Sequence, residues 1–318
     1  MIGRSENGLP ITKTILLKYE VVSQEARAMD VKKNDIIKIC IFIFPGLALF
    51  TLFFLIPVGY VGVTSLFEWN GITAPIFKGL YNYNDIFGDK VFWLSVRNNV
   101  VWALVAGLIQ VPLALLMALI LSKKPFGWKF FRTVYFFPQV ISGIALAMLW
   151  SAMYNSQFGL INGLLRAVGL GEYARNWLGT IDTAFPSMLI YWVFYIGYYM
   201  VIMLADITNI DESYYEAAQI DGANGIMQHI YITIPLIKGS FQTCVTLAMI
   251  FGLRTFEQVY LLTNGGPANR TSVLVLYLYN QMKTNNYGGA NASSVMLILT
   301  GACVILMIRG IFARLNKE

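Results

Sequence analysis

Six runs of mostly apolar residues recur along the 318-residue chain, at about 37–66, 98–122, 134–155, 184–205, 237–262 and 291–312. A helix rises ~1.5 Å per residue, so a run of about 20 crosses the ~30 Å hydrocarbon layer of a bilayer. No water is available there to satisfy the backbone, and a helix satisfies its own. The runs therefore predict an all-α integral membrane protein with six spans. Composition agrees, with 57% hydrophobic and 13% charged residues, where soluble domains carry about 25% charged. Pro45 and Pro57 fall in the first run and Pro112 in the second, so kinks are expected there.

The formal charge of +6 does not point to nucleic acid, because the basic residues sit in short clusters beside the apolar runs rather than in a stripe with interleaved aromatics. Their distribution sets orientation instead. Fifteen of the 23 Lys and Arg lie on one side: the tail through Lys38, then Lys123, Lys124, Lys129 and Arg132, then Lys238, then Arg309, Arg314 and Lys317. Lys78, Lys90, Arg97, Arg166, Arg175, Arg270 and Lys283 lie on the other. By the positive-inside rule both termini are expected in the cytoplasm. The outward segments carry the turn signals WNG (69–71), NSQFG (155–159) and TNGGP (263–267), with Trp69, Tyr81, Phe92 and Trp93 placed as an interfacial belt. Residues 1–36 form a polar tail with no apolar leader-like core, either an interfacial amphipathic helix or an unstructured extension, and residues 37–318 form the six-span domain.

Much chemistry is absent from the sequence. Cys40, Cys244 and Cys303 fall inside apolar stretches without metal or disulfide spacing, and His229 has no partner at ligand spacing. No G-x-x-x-x-G-K-[ST] loop occurs, so ATP hydrolysis, if it drives the protein, belongs to another polypeptide. Few ionisable residues enter the spans. The clearest are Arg254 and Glu257 in GLRTFEQVY, spaced i, i+3 and able to pair on one helical face, as a polar patch on a translocation path or as an ion pair between helices.

One polar island interrupts this pattern, the segment 206–236 containing EAAQIDGANGIMQHIYITIP. Asp211 suits a helix cap, Gly222 can take the left-handed conformation that closes a helix, and Pro235 is expected to stop a second helix at the mouth of span five. Two short helices joined by a glycine elbow are predicted on the cytoplasmic surface. Small side chains at Ala217 and Ala218 beside Glu216 would let the first helix enter a partner's cleft; a plain amphipathic interfacial loop is the rival reading.

EAAQIDGA followed by ITIP closely resembles the EAA loop of permease subunits in binding-protein-dependent ABC importers. SVRNNVVWALV (95–105), FRTVYFFPQVISG (131–143), FGLINGLL (158–165) and LLTNGGPANRTSVLVLYLY (261–279) are similar to its sugar-importer branch, the maltose-type first permease subunit. The resemblance implies a six-helix type I importer transmembrane domain with a cytoplasmic coupling helix, in a bacterial or archaeal cytoplasmic membrane. It implies that Glu216, Ala217, Ala218, Asp221 and Gly222 contact the ATPase subunit. The implied partners are a second permease subunit, two ATP-binding subunits that hold ATP and Mg, and an extracytoplasmic solute-binding protein; no cofactor is expected on this chain, which is not itself an enzyme. The implied cargo is a carbohydrate: an oligosaccharide, polyol, sugar phosphate or uronate oligomer. Sugar sites use aromatic faces, and Tyr191, Tyr195 and Tyr198 fall at i, i+4 and i+7 on one face of span four, with Tyr199 beside Tyr195 on another edge. Thr246 and Gly252 on span five, and Arg254 with Glu257, join them as path candidates; helix packing is the rival role for the tyrosines. A self-contained carrier or channel and an intramembrane enzyme stand as the alternative functions.

Overall fold

The computed structural model describes the backbone of residues 33–315 and the side chains of residues 38–314. The tail reading for 1–36 falls outside that range, except that residues 33–36 are helical. The described residues divide into two compact units at Tyr60 and Val61. In the first, α1 (Lys33–Phe50) runs through Pro45 into a π-helical turn, Thr51–Leu55. The large apolar side chains of this stretch, Phe42, Phe44, Phe53 and Phe54 among them, are exposed, which for so apolar a helix is stable only in lipid.

After α2 (Ile56–Thr64), the second unit opens with the two-stranded ribbon β1 (Phe67–Glu68) and β2 (Ile76–Phe77), paired antiparallel with Phe67 opposite Phe77. Then come α3 (Tyr81–Gly88), α4 (Lys90–Val105), a π turn (Ala106–Gln110) and α5 (Val111–Ser122). α6 (Trp128–Phe136), a 3-10 turn (Phe137–Gln139), α7 (Gly143–Met153) and α8 (Leu160–Ala167) follow, then α9 (Ala184–Val193) and α10 (Gly197–Thr208). The elbow comprises α11 (Glu212–Ile220), α12 (Gly225–Gln228), a π turn (His229–Thr233) and α13 (Ile234–Leu236), and the chain closes with α14 (Lys238–Leu253), α15 (Glu257–Leu262), α16 (Leu274–Lys283) and α17 (Tyr287–Leu315).

Among the described residues, four helices are long and apolar enough to cross a bilayer: Lys38–Thr64, Lys90–Ser122, Ala184–Thr208 and Tyr287–Arg314. The number rises to six when two bent pairs each count as one span: Trp128–Gln139 with Gly143–Met153, at 102°, and Gly225–Leu236 with Lys238–Leu253, at 70°. The expected spans three and five are thus not continuous rods. Span three turns after Gln139, and the fifth helix stops at Leu253 rather than running to 262.

Three of the prolines share one local arrangement. Pro57, Pro112 and Pro235 each stand two residues beyond a five-residue π turn. A proline offers no N–H to the carbonyl four residues back and its ring strikes that carbonyl; a wider turn just before it relieves the collision. Neither Pro57 nor Pro112 breaks its span. Pro235, expected to end a helix, lies inside α13, and the chain turns after it at Ile237.

Packing in the second unit follows membrane rules. Small residues allow backbones to approach: a side chain on Gly252 would meet the Ala103 backbone at 2.9 Å, and Ala114, Ala118, Cys244 and Ala248 are fully buried in the same cluster with Met200 and Met203. Buried amides stitch the end where α4 meets α16. Asn98 donates to the carbonyls of Arg270 and Ser272 at 2.9 and 2.8 Å, and Asn99 donates to Leu253 O at 2.8 Å while accepting from Leu274 N at 2.6 Å.

Candidate functional site: a broken-span cavity and a capped elbow

Span four breaks between α9 and α10, where Phe194, Tyr195 and Ile196 leave the helix. Gly197 restarts it so close to the backbone of Tyr135 and Phe136 that no side chain would fit. A break inside a membrane exposes carbonyls that need donors. Gln110, fully buried on the π turn of span two, supplies them: its Nε2 donates to Trp192 O and Tyr195 O, each at 3.0 Å, and Gln139 Nε2 adds a longer bond of 3.3 Å to Tyr195 O.

Against this break lies a cavity of about 460 Å³. Phe136, Trp192 and Phe251 give it apolar walls, and Gln110, Gln139, Gln258, Tyr195, Tyr198 and Tyr199 give it amides and phenols. No lysine, arginine, aspartate or glutamate lines it. Trp192 stacks on Tyr195 with ring planes 15° apart, and Trp150 donates to the Tyr195 hydroxyl at 3.2 Å. The arrangement suits a polar, uncharged, ring-bearing solute: aromatic faces for the ring and amides for hydroxyls.

The sequence-predicted path residues are distributed unevenly around it. Tyr195, Tyr198 and Tyr199 line the cavity, whereas Tyr191 is buried behind it in a cluster with Trp102 and Met188. The break corrects the single i, i+4, i+7 face: Tyr191 belongs to α9, Tyr198 to α10 and Tyr195 to the connection. Thr246 donates to Gln242 O at 2.8 Å and Gly252 is the contact with Ala103; neither lines the cavity. Arg254 and Glu257 do not form the expected ion pair, because α14 ends at Leu253 and α15 starts at Glu257, so no common helical face exists. Glu257 instead lays its carboxylate against Gly143, which lines the cavity, without lining it itself. Sequence reasoning missed Gln110, Gln139 and Gln258. A glutamine within an apolar run is itself a signal, since an amide in hydrocarbon needs a partner just as a charge does.

The elbow is built from local rules. Asp211 caps α11 by accepting from Ser213 N at 2.9 Å, and that bond holds its carboxyl below the usual range. The stability the cap adds is present above the unfolded value of 3.8 and is lost as pH falls through the lower folded value. α11 closes with a paired bond, Ala223 N to Ala218 O at 2.8 Å and Gly222 N to Gln219 O at 3.0 Å, around Gly222 at φ +80°. Asn224 then caps α12 through Ile226 N and Met227 N. The buried Thr233 hydroxyl joins the two arms, at 2.9 Å from Tyr215 Oη and 3.2 Å from His229 Nδ1. His229, which the sequence left without a role, thus braces the elbow. It also lines a polar groove of about 470 Å³ with Lys123, Glu212, Tyr215, Glu216 and Gln219. Glu216, Ala217, Asp221 and Gly222 are exposed and Ala218 is half-buried. Tyr214, Ile220, Ile226 and Tyr231 present apolar surface, 87% exposed at Ile220.

Helices of membrane-crossing length, a polar aromatic cavity at a broken span and a capped elbow carrying exposed apolar side chains define a multi-pass membrane permease. The chain belongs to the family of binding-protein-dependent transport system inner membrane components, whose pattern matches residues 110–317. It is therefore a permease subunit of an ABC importer served by a solute-binding protein, and not an ATPase. It is 36% identical to the probable ABC transporter permease protein YurN of Bacillus subtilis, over 91% of this chain and 99% of that one. It is 33% identical to NgcF, the diacetylchitobiose uptake system permease protein of Streptomyces coelicolor, over 85% and 80%. In fold it is similar to a chain of a bacterial alginate ABC transporter solved with an alginate pentasaccharide-bound periplasmic protein, with a TM-score of 0.77 over 91% of this chain and 98% of that one, at 20% identity.

Proposed function

We propose that this chain pairs with a second permease subunit in a bacterial or archaeal cytoplasmic membrane, both termini inside, and imports a neutral carbohydrate by alternating access. The observation that carries this reading is the cavity at the span-four break, with aromatic and amide walls and no charged lining residue. Relatives named for diacetylchitobiose and for trehalose and maltose transport support the solute class. Among carbohydrates, the uncharged lining favours a neutral sugar or polyol over a uronate oligomer or sugar phosphate. Tyr195, Tyr198 and Tyr199 contact the solute, with Gln110, Gln139 and Gln258 bonding its hydroxyls; Tyr191, Thr246 and Gly252 support the wall from behind, and Arg254 and Glu257 stand at its edge. ATP and Mg reside on two partner subunits, which receive α11 in a cleft. Glu216 is the anchor there, through a charge-assisted bond to a partner cation, with Ala217 and Ala218 permitting close approach and Asp221 and Gly222 shaping the turn.

Two variants test the two halves of this reading. Tyr195→Ala in the assembled importer lowers uptake of the cognate sugar at least tenfold, the order of about 1.4 kcal/mol of lost contact, while complex assembly and basal ATP hydrolysis persist. Unchanged uptake removes the cavity from the path. Glu216→Lys leaves the subunit inserted but separates ATP hydrolysis from import, and normal import by that variant refutes the coupling role. Uptake by this chain alone in liposomes, without ATP, would favour a self-contained carrier instead.

A further inference from the structure

We infer that α6 and the end of span two form a binding site for the phosphate headgroup of an anionic phospholipid, built by Lys124, Lys129 and Arg132. The apolar helix Lys90–Ser122 ends where Lys123 and Lys124 begin, which marks one edge of the hydrocarbon layer. α6 starts at Trp128, and its segment turns by 102° from α7. It runs beside α10, with Trp128 at the Thr208 end and Tyr135 and Phe136 against Gly197, so its N-terminal end lies at that same edge. It has the character this position requires: Trp128 and Tyr135 pack inward on the core, Phe130, Phe131 and Val134 are exposed, and Lys129 and Arg132 stand one turn apart.

Two cavities of about 390 and 170 Å³ adjoin along this helix and share Trp128, Arg132 and Val201. Lys129 lines the larger and Lys124 the smaller, so three cations converge where no acidic side chain lines either wall. None of the three forms a salt bridge with a described carboxylate. The Lys129 ammonium is 5.8 Å from the centroid of the Trp128 ring, which positions it without neutralising it. Concentrated unpaired positive charge at a membrane surface attracts anionic headgroups, and basic pockets beside span helices are where such headgroups lodge. The Arg132 fork can give two parallel bonds to one phosphate, with the ammoniums of Lys124 and Lys129 flanking it. The exposed Phe130, Phe131 and Val134 then face the acyl chains of the same lipid. Charge complementarity, together with these apolar neighbours, favours a lipid over a soluble anion.

The test uses the complete importer in nanodiscs of phosphatidylcholine doped with phosphatidylglycerol, reading the lipid retained after extraction by native mass spectrometry. The native complex should retain phosphatidylglycerol over phosphatidylcholine by about tenfold or more. The double variant Lys129→Gln, Arg132→Gln should bring the ratio to parity, while Arg309→Gln, Arg314→Gln, equal in charge lost, should leave it unchanged. Added inorganic phosphate should not displace the lipid; displacement would make the site one for free anions and overturn the assignment. Equal loss in the control variant, or no preference in the native complex, would also overturn it. A photo-crosslinker at Thr133 that captures a protein subunit instead of lipid would do the same.

Discussion

Gln110 shows how much one side chain can carry. Its amide donates to two carbonyls at a break 82 and 85 residues away. Gln110→Leu keeps the volume and removes both bonds. Each lost bond contributes about 0.5–1.5 kcal/mol net, since Trp192 O keeps its bond from Tyr195 N and Tyr195 O its bond from Gln139 Nε2, so the variant complex should unfold at a lower temperature in a thermal scan. An unchanged midpoint would show that the broken turn holds without it. That a polar residue interrupts the apolar run is legible in the sequence; what it bonds is not, because no local pattern links span two to span four. Asn98 and Asn99 share that limit, since their partners on Arg270, Ser272, Leu253 and Leu274 are more than 150 residues distant.

At the scale of elements, the elbow was nearly all written locally. A capping acid, a glycine able to adopt φ +80° and a second capping amide are short-range rules, and the structure uses each. Gly222→Val forces a branched side chain into the left-handed region, at about 1–2 kcal/mol. The purified complex should therefore show looser coupling, more ATP consumed per solute imported, with unaltered insertion; a normal ratio would mean that the elbow's shape does not matter. The broken spans were less legible. Span four has no proline at its break, and its tyrosines keep a helical spacing that the backbone then interrupts. Apolar runs report how far a chain can cross lipid, and they report nothing about where a neighbouring amide permits the helix to open.

For the molecule as a whole, α10 links the two candidate sites. It starts at the broken turn on the cavity and ends at Thr208, three residues before the Asp211 cap. Its twelve residues span ~18 Å, so a shift of the elbow has a short, packed lever to the cavity wall. The sided charge predicts which way this lever points: a fluorescent reporter fused after Glu318 should be active in the cytoplasm and a periplasm-dependent phosphatase there inactive. The reverse outcome inverts the proposed topology. The π turns before Pro57, Pro112 and Pro235 bear on the same geometry in another way. Each holds one residue more than the ladder around it, so the halves of the helix are about 100° out of phase. Removing a single residue from Ala106–Gln110 would barely shorten span two, yet it would rotate Asn98 and Asn99 away from their partners while Gln110 stayed in place. The two ends of that helix are thus set to different clocks, and one inserted residue keeps both in time.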